Sequence, residues 1–424
     1  MRKTLTIIFI LGAVISFVYN QAFFNFFAQD DFILITRFSG HGLFTDLWNA
    51  VGPPHVTHWR PFHNLYFLVS GELFGKEVFW YHFVLFLVQI TAGLFIFKSL
   101  KALNFKGVSA LAASIIYVAH PAHFVSYYWV SGGATAIGFC FFVISFYLYI
   151  GEKYKFSLLL FLASILASEA MLAGAPIFII FDLLFRNRKL NTGRFTKIAA
   201  VSFIFLVVKL ILTPRDTFNI YKLELSAPVL SSLKYYTLRT LGFAGVAKDQ
   251  MLTSFILVWI LIILFLFIRS TKKEEDWVHL LFFFSISVLG LFPFILIPNH
   301  LSPHYMNISI FGFGAFVGLA LSKAKKSITV LMLIIFLLIS FFSVELIEKN
   351  NWVTARANLA YKYILTIENT DMPSGSTLVF NDNYISSSYD AYIALGTGNA
   401  INFWFKDKNY KTCFSAFENC TFLP

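Results

Sequence analysis

Apolar runs of about twenty residues, parted by short polar junctions, recur from one end of this chain to the other. Runs of that length suit helices crossing a hydrocarbon core of roughly 30 Å. The pattern predicts crossings at 4–24, 78–98, 107–122, 132–150, 156–168, 169–186, 196–213, 252–268, 277–297, 305–321 and 327–345. Because the runs are continuous rather than alternating, they exclude the strands of an outer-membrane barrel. The predicted fold class is an all-α polytopic membrane protein with about eleven transmembrane helices.

Residues 156–186 are apolar almost throughout, interrupted by Glu169 and Asp182. As one helix they would reach about 46 Å at 1.5 Å per residue, too long for one crossing. Two short helices meeting near Glu169 are predicted instead. That reading also keeps the flanking basic clusters on one side. The N-terminal run 1–20 has a basic start and an apolar core but no small-x-small cleavage site, so a retained anchor is expected.

Charge then fixes the topology. Basic residues crowd every second junction: Arg2, Lys3; Lys98, Lys101, Lys106; Lys153, Lys155; Arg186, Arg188, Lys189, Arg194, Lys197; Arg269, Lys272, Lys273; and Lys323, Lys325, Lys326. These account for 18 of the 33 Lys and Arg residues. Short basic loops mark the cytoplasmic side. The N-terminus is therefore expected inside and the C-terminal tail outside, in the cytoplasmic (inner) membrane. A net charge of +11 would by itself suggest nucleic acid, but here it is a topology signal. With 58% hydrophobic and 13% charged residues and a mean hydropathy of +0.72, a soluble domain is excluded.

The remaining junctions are long, aromatic and polar, and face outside. The first is 25–77, where Phe62, Leu65, Tyr66, Val69 and Leu73 recur at helical spacing and predict a short interfacial helix. A second possible surface helix lies in "SSLKYYTLRTLGF" of the outer loop 214–251. The organisation predicted is a transmembrane domain, 1–345, and a small extracytoplasmic α/β domain, 346–424. In the latter, "WVTARANLAYKYILTI" reads as helix, "GSTLVFND" as turn and strand, and "YDAYIALG" as a short helix. Cys140 lies within a span. Cys413 and Cys420 lie in the tail, where oxidation is permitted, and their spacing leaves pairing open.

The candidate chemistry sits at the outer ends of spans. Adjacent Asp30 and Asp31 suit a helix N-cap with a first-turn acid, and equally a general base at the membrane surface. Glu169, an ionisable group between apolar runs, is a functional candidate and also a helix-capping one. Lys209 has the reach to snorkel outward. Arg60, Arg239, His120, His123 and His304 are the other polar groups suited to an anionic head, each with a structural alternative as anchor or hydrogen-bonded core residue. Cations would hold a phosphate while a carboxylate takes a proton. That combination suits sugar transfer from a polyprenyl-phosphate donor, whose lipid phosphate leaves without a general acid.

At this point the motifs resemble a family, the GT-C membrane glycosyltransferases that use polyprenyl-phosphate sugars. The likeness is to protein O-mannosyltransferases of the transmembrane, tetratricopeptide-containing type. It rests on "QDDF", "HWRPFHNLYF…FWYHFVLFLVQ", "AHPAHFVSYYWVSGGATAI", "LASEAMLAGAPIFIIFDLLF" and "LSPHYMNISIFGFG", in the family's order over roughly 25–315. The resemblance implies that the first-loop acid is catalytic, which falls on Asp30 or Asp31; Asp30 is favoured as base, with Asp31 assisting. It also implies roles for Arg60 and Glu169. The chain departs where the family has cations: Ser168 replaces a Lys, His304 an Arg, and Gly132, Gly133 and Ala134 stand in the Gly-Arg-Ala loop. Lys209, Arg239 or His304 are the substitutes expected for those phosphate contacts. Tetratricopeptide repeats are absent after the last predicted span.

The function expected is an inverting glycosyltransferase acting outside the membrane, with a polyprenyl-phosphate sugar as lipid donor and no metal or other cofactor. The adjacent acids are not the Asp-x-Asp pair associated with a divalent ion. The acceptor is left open among lipid-linked glycan, envelope polymer and protein. The alternatives are a transporter or flippase, which would carry polar groups near the bilayer midplane, and a polymerase or ligase of lipid-linked glycans.

Overall fold

The computed structural model describes residues 2–53, 58–186, 192–213, 221–243, 249–270, 274–382 and 385–420. Four of the basic-loop residues, Arg188, Lys189, Lys272 and Lys273, lie outside them. Among the described residues, seven helices are long and apolar enough to cross a membrane: Val78–Ala102, Ser131–Ile150, Thr192–Leu212, Gln250–Arg269, Asp276–Ile295, Pro303–Leu321 and Lys326–Asn350. The pair Gly107–Ala119 and Pro121–Tyr128, bent by 42°, makes up to eight. The protein is thus helical, with the apolar spans of a multi-pass membrane protein.

Residues 156–186 break into Tyr154–Ala167, a 3-10 segment Glu169–Gly174, and Ala175–Phe185. The last helix begins with Pro176 in its first turn, where a missing N–H costs nothing.

The central helix Asn307–Leu321 is buried almost throughout because its glycines let neighbouring backbones close in. A Cβ on Gly314 would lie 2.9 Å from the Ala113 carbonyl oxygen, and one on Gly318 would lie 2.7 Å from that of Ser109. On another face, a Cβ on Gly312 would meet the Phe283 carbonyl at 2.6 Å. Small residues at helix crossings are how membrane helices gain packing when hydrophobic exclusion drives nothing.

The segment that the sequence reading takes as the first outer segment folds into Asp30–Phe38, Leu43–Val51 and Pro61–Phe74. The last of these is a helix where the sequence reading expects one, but its buried face is His63, Phe67, Leu68 and Ser70, while Val69 and Leu73 remain exposed. The apolar stripe read from the sequence is therefore split: Phe62, Leu65 and Tyr66 pack against the core, and only Val69 and Leu73 face outward. Packing against Asp30–Phe38, Leu43–Val51 and Tyr154–Ala167, invisible in local spacing, decides which face is covered.

The tail contains the helix Trp352–Glu368 and a two-stranded parallel sheet in which Thr377–Phe380 pairs with Lys411–Phe414. Its second strand was not foreseen. Cys413 and Cys420 are joined by a disulfide. The tail shares one core with the first outer segment: Phe27, Phe32 and Ile35 pack with Ile364, Leu395 and Ile401. Glycine is required at 396, where φ is +55° and a Cβ would fall 2.5 Å from the Gln29 carbonyl oxygen.

Candidate functional site

That docking shapes the turn before the acidic pair. Gln29 is held at φ 54°, an uncommon conformation for a side chain of its size. Its N–H donates to the Ala394 carbonyl at 3.0 Å, and its side-chain oxygen accepts from Arg356. Backbone strain of this kind persists only where surrounding structure imposes it. The helix Asp30–Phe38 starts directly afterwards, and its first two residues part company.

Asp31 turns inward and is buried. Its Oδ2 accepts the Ala28 N–H at 3.0 Å, and its Oδ1 accepts the Ser131 N–H at 2.7 Å and the Ser131 hydroxyl at 2.6 Å. Burial nevertheless raises its pKa to about 7, against the lowering effect of these donors. Gly132 and Gly133 let this loop approach, since a Cβ would sit 2.8 Å from the Val125 carbonyl or 2.5 Å from Leu85. Asp31 is a clamp between two outer segments.

Asp30 points the other way, into a cavity of about 540 Å³. Its pKa is also raised by burial, offset in part by Gln29, Arg356 and Arg60. The cavity draws its walls from six parts of the chain. Gln29, Asp30 and Arg37 come from the first helix, and His58, Arg60 and His63 from the following segment. Trp129 and Ser131 precede one span, while Tyr221, His300, His304 and Tyr305 close another side. Trp352 and Arg356 arrive from the tail. The size suits a small-molecule or head-group site.

Arg60 is oriented from behind. Its Nε donates to Glu169 Oε2 at 2.8 Å and its Nη2 to Oε1 at 3.0 Å. Among the described residues Nη1 makes no hydrogen bond, so one edge of the fork is left over. Lys209 Nζ approaches Glu169 Oε1 at 3.0 Å, and so does His58 Nδ1. Since a carboxylate only accepts, His58 carries its proton on Nδ1, and its Nε2 takes the Tyr221 hydroxyl at 3.0 Å. Burial, then Arg60, lower the His58 pKa and keep the ring neutral. His63 is held down to about 3 by burial and then Arg60. Arg60 and Lys209 together outweigh Glu169 by one positive charge.

The sequence candidates therefore separate. Asp30, Arg60 and His304 line the cavity, with His304 Nδ1 2.6 Å from the Ser302 hydroxyl. Glu169 and Lys209 lie outside this lining, paired with each other at 3.0 Å and, through Glu169, with Arg60. Asp31 lies outside the lining because both its oxygens are occupied by backbone and hydroxyl donors. Arg239 lies outside it too, its guanidinium 3.5 Å over the Tyr235 ring. His120 is a core residue, bonded through Nε2 to the Thr240 carbonyl at 3.0 Å and through Nδ1 to the Ala122 N–H. His123 packs against Tyr117 and Tyr127 in the same core. Sequence reasoning missed Arg356, Trp352, Trp129 and Gln29 as lining residues. A Trp and an Arg four apart on a predicted helix were visible, but nothing local says that this helix reaches the acids.

Among the described residues, no three His, Cys, Asp or Glu side chains converge in a way that could hold a metal ion. No protein-family model matches the chain, and no curated protein matches it.

Proposed function

We propose that this protein is a membrane glycosyltransferase of the GT-C kind, moving a sugar from a polyprenyl-phosphate donor to an acceptor outside the membrane. The observation that carries the reading is Asp30, a carboxylate facing a walled cavity with Arg60 and Arg356 near enough to influence its charge. In the proposed step Asp30 takes the acceptor hydroxyl proton, the acceptor oxygen bonds the anomeric carbon, and the bond from that carbon to phosphate breaks with inversion. The departing lipid phosphate gains one negative charge. The free edge of Arg60, held by Glu169, is suited to receive it. Asp31 fixes the loop on which Asp30 stands.

The topology that goes with this reading has eleven crossings. Besides the seven long helices and the bent pair, Arg2–Val18, Tyr154–Ala167 and Ala175–Phe185 supply the rest. The N-terminus is inside, and the cavity and tail are outside the cytoplasmic membrane. Reporter fusions at Lys189 and at the C-terminus test it, with opposite sides expected. The chemistry is tested by transfer from labelled polyprenyl-phosphate sugars using purified wild type and Asp30→Asn. Transfer by the wild type and its loss in the variant support the reading; full activity in Asp30→Asn removes it.

A further inference from the structure

One further hollow adjoins the cavity that Asp30 lines, and a second adjoins that one. The first is a polar groove of about 760 Å³ where the outer end of Lys326–Asn350 meets the start of Trp352–Glu368. Trp352 lines both this groove and the cavity containing Asp30. The second is an apolar groove of about 630 Å³ between Gln250–Ser270 and Lys326–Asn350, walled by residues such as Phe255, Ile262 and Leu338. Glu345 and Lys349 line both of these grooves. Shared walls thus connect the outer surface of two membrane helices to the carboxylate, through a polar stretch with a tryptophan at its end.

The three parts differ in chemistry. The apolar groove matches hydrocarbon. The polar groove is lined by the amides of Asn20, Gln21, Asn25, Asn350, Asn351 and Asn358. Among the described residues, the side chains of Asn20, Gln21 and Asn358 make no hydrogen bond, so donor and acceptor are both presented outward. With Glu345, Glu348 and Lys349 the groove's lining carries one net negative charge, which disfavours an anionic head. Paired amide donors and acceptors match sugar hydroxyls. At the far end Trp352 and Trp129 meet edge to face at 5.1 Å, with the Arg356 guanidinium 4.8 Å from the Trp352 ring centre, an aromatic corner against which a sugar ring can lie.

We infer that these connected grooves bind the acceptor, and that it is a lipid-anchored, uncharged glycan: chain between the two helices, sugar head across the amides, terminal hydroxyl delivered past Trp352 to Asp30. This rests on the transferase reading for the use made of the site, but the binding itself does not. The class narrows the acceptor to a glycolipid over a soluble polymer or a protein side chain. Arg60 and its ionic support stand on the separate wall proposed for the donor phosphate.

The test uses the full chain in nanodiscs with three diazirine-bearing probes: neutral diglucosyldiacylglycerol, phosphatidylglycerol and soluble maltotetraose. The neutral glycolipid is expected to label residues 249–262 and 335–349 at least fivefold more than phosphatidylglycerol does. Leu338→Trp, which blocks the apolar groove, and Gln21→Ala with Asn358→Ala, which strip the polar one, should each cut that labelling at least fivefold. Equal labelling by phosphatidylglycerol, meaning ordinary boundary lipid, overturns the inference. So does preferential labelling by maltotetraose, or indifference to both sets of substitutions. Asp30→Asn should label like the wild type. Selective labelling without any sugar transfer would sink the transferase reading alone. Transfer that proceeds undiminished in both groove variants would sink the acceptor site alone.

Discussion

Asp31 and Ser131 stand a hundred residues apart in sequence, yet Asp31 Oδ1 takes both the Ser131 N–H at 2.7 Å and its hydroxyl at 2.6 Å. The neighbouring Asp30 shares none of these bonds and faces the cavity. Two adjacent acids thus have separable duties. Asp30→Asn should reduce transfer by roughly 10²–10⁴-fold, the scale of a lost general base, while the melting temperature stays near that of the wild type. Asp31→Ala should do the reverse first. It strands buried donors on Ala28 and Ser131, at a cost of about 2–3 kcal/mol, and lowers the melting temperature. Equal melting losses in both variants would contradict the division.

Arg60 and Glu169 form a second pair of this kind, brought together from segments 109 residues apart. Both are mostly enclosed, with side-chain exposures of 16% and 22%. Removing one member of such a pair leaves a charge without its partner, typically costing about 3–5 kcal/mol. Arg60→Ala should therefore lower both stability and activity. Arg60→Lys should recover part of the stability but little transfer, because an ammonium cannot hold two carboxylate oxygens and still offer an edge to phosphate. Lys209→Ala should be milder than Arg60→Ala, since Glu169 keeps its two-pronged partner. Thermal melts and donor titrations on the same preparations read these apart.

The relation between these residues explains what was legible beforehand. Periodicity along the chain located the apolar helices and the break at Glu169, since length against bilayer thickness is a local constraint. It also marked Asp30, Arg60 and Glu169, because charges are conspicuous in so apolar a chain. Their grouping was not legible. Gln29 is held by Ala394 and Arg356, and Arg356 reaches the cavity because the tail packs on Phe27 and Phe32, all of it long-range. His120 and His123 looked like site residues for the opposite reason. Outer-loop histidines read alike until the fold shows that His120 spends both nitrogens on backbone groups.

The Cys413–Cys420 disulfide closes a short loop in the tail, with a sequence separation of 7. For a loop of that length the chain-entropy account gives about 2–3 kcal/mol. Because Phe414 of the same strand packs in the core shared with the first outer segment, loosening it should reach the cavity wall as well. Reductant is expected to lower the melting temperature of the wild type and weaken donor binding slightly. Cys413→Ser with Cys420→Ser should reproduce both effects and show no further response to reductant. A wild type indifferent to reductant, with complete reduction verified by mass spectrometry, would contradict this.

The buried carboxyl of Asp31 makes the last expectation one of pH. Burial raises its pKa from the ordinary 3.8 to about 7 in the folded chain. Between those values the folded state holds a proton that the unfolded state has released, so stability must fall as pH rises. The contribution from this group is complete below the unfolded value and is lost on passing through about 7. At its steepest the decline is about 1.4 kcal/mol per pH unit. Asp31→Asn cannot titrate and lacks this slope, so the difference in stability between wild type and variant should shrink from pH 5 to pH 8. Asp30, also raised by burial, must lose its proton to act as base, so transfer should increase with pH above the usual carboxylate range. The Asp31 contribution to stability therefore falls as transfer rises with pH, and only the first is removed by Asp31→Asn. A wild-type-to-variant difference that stayed flat across that window would show that Asp31 folds already ionised.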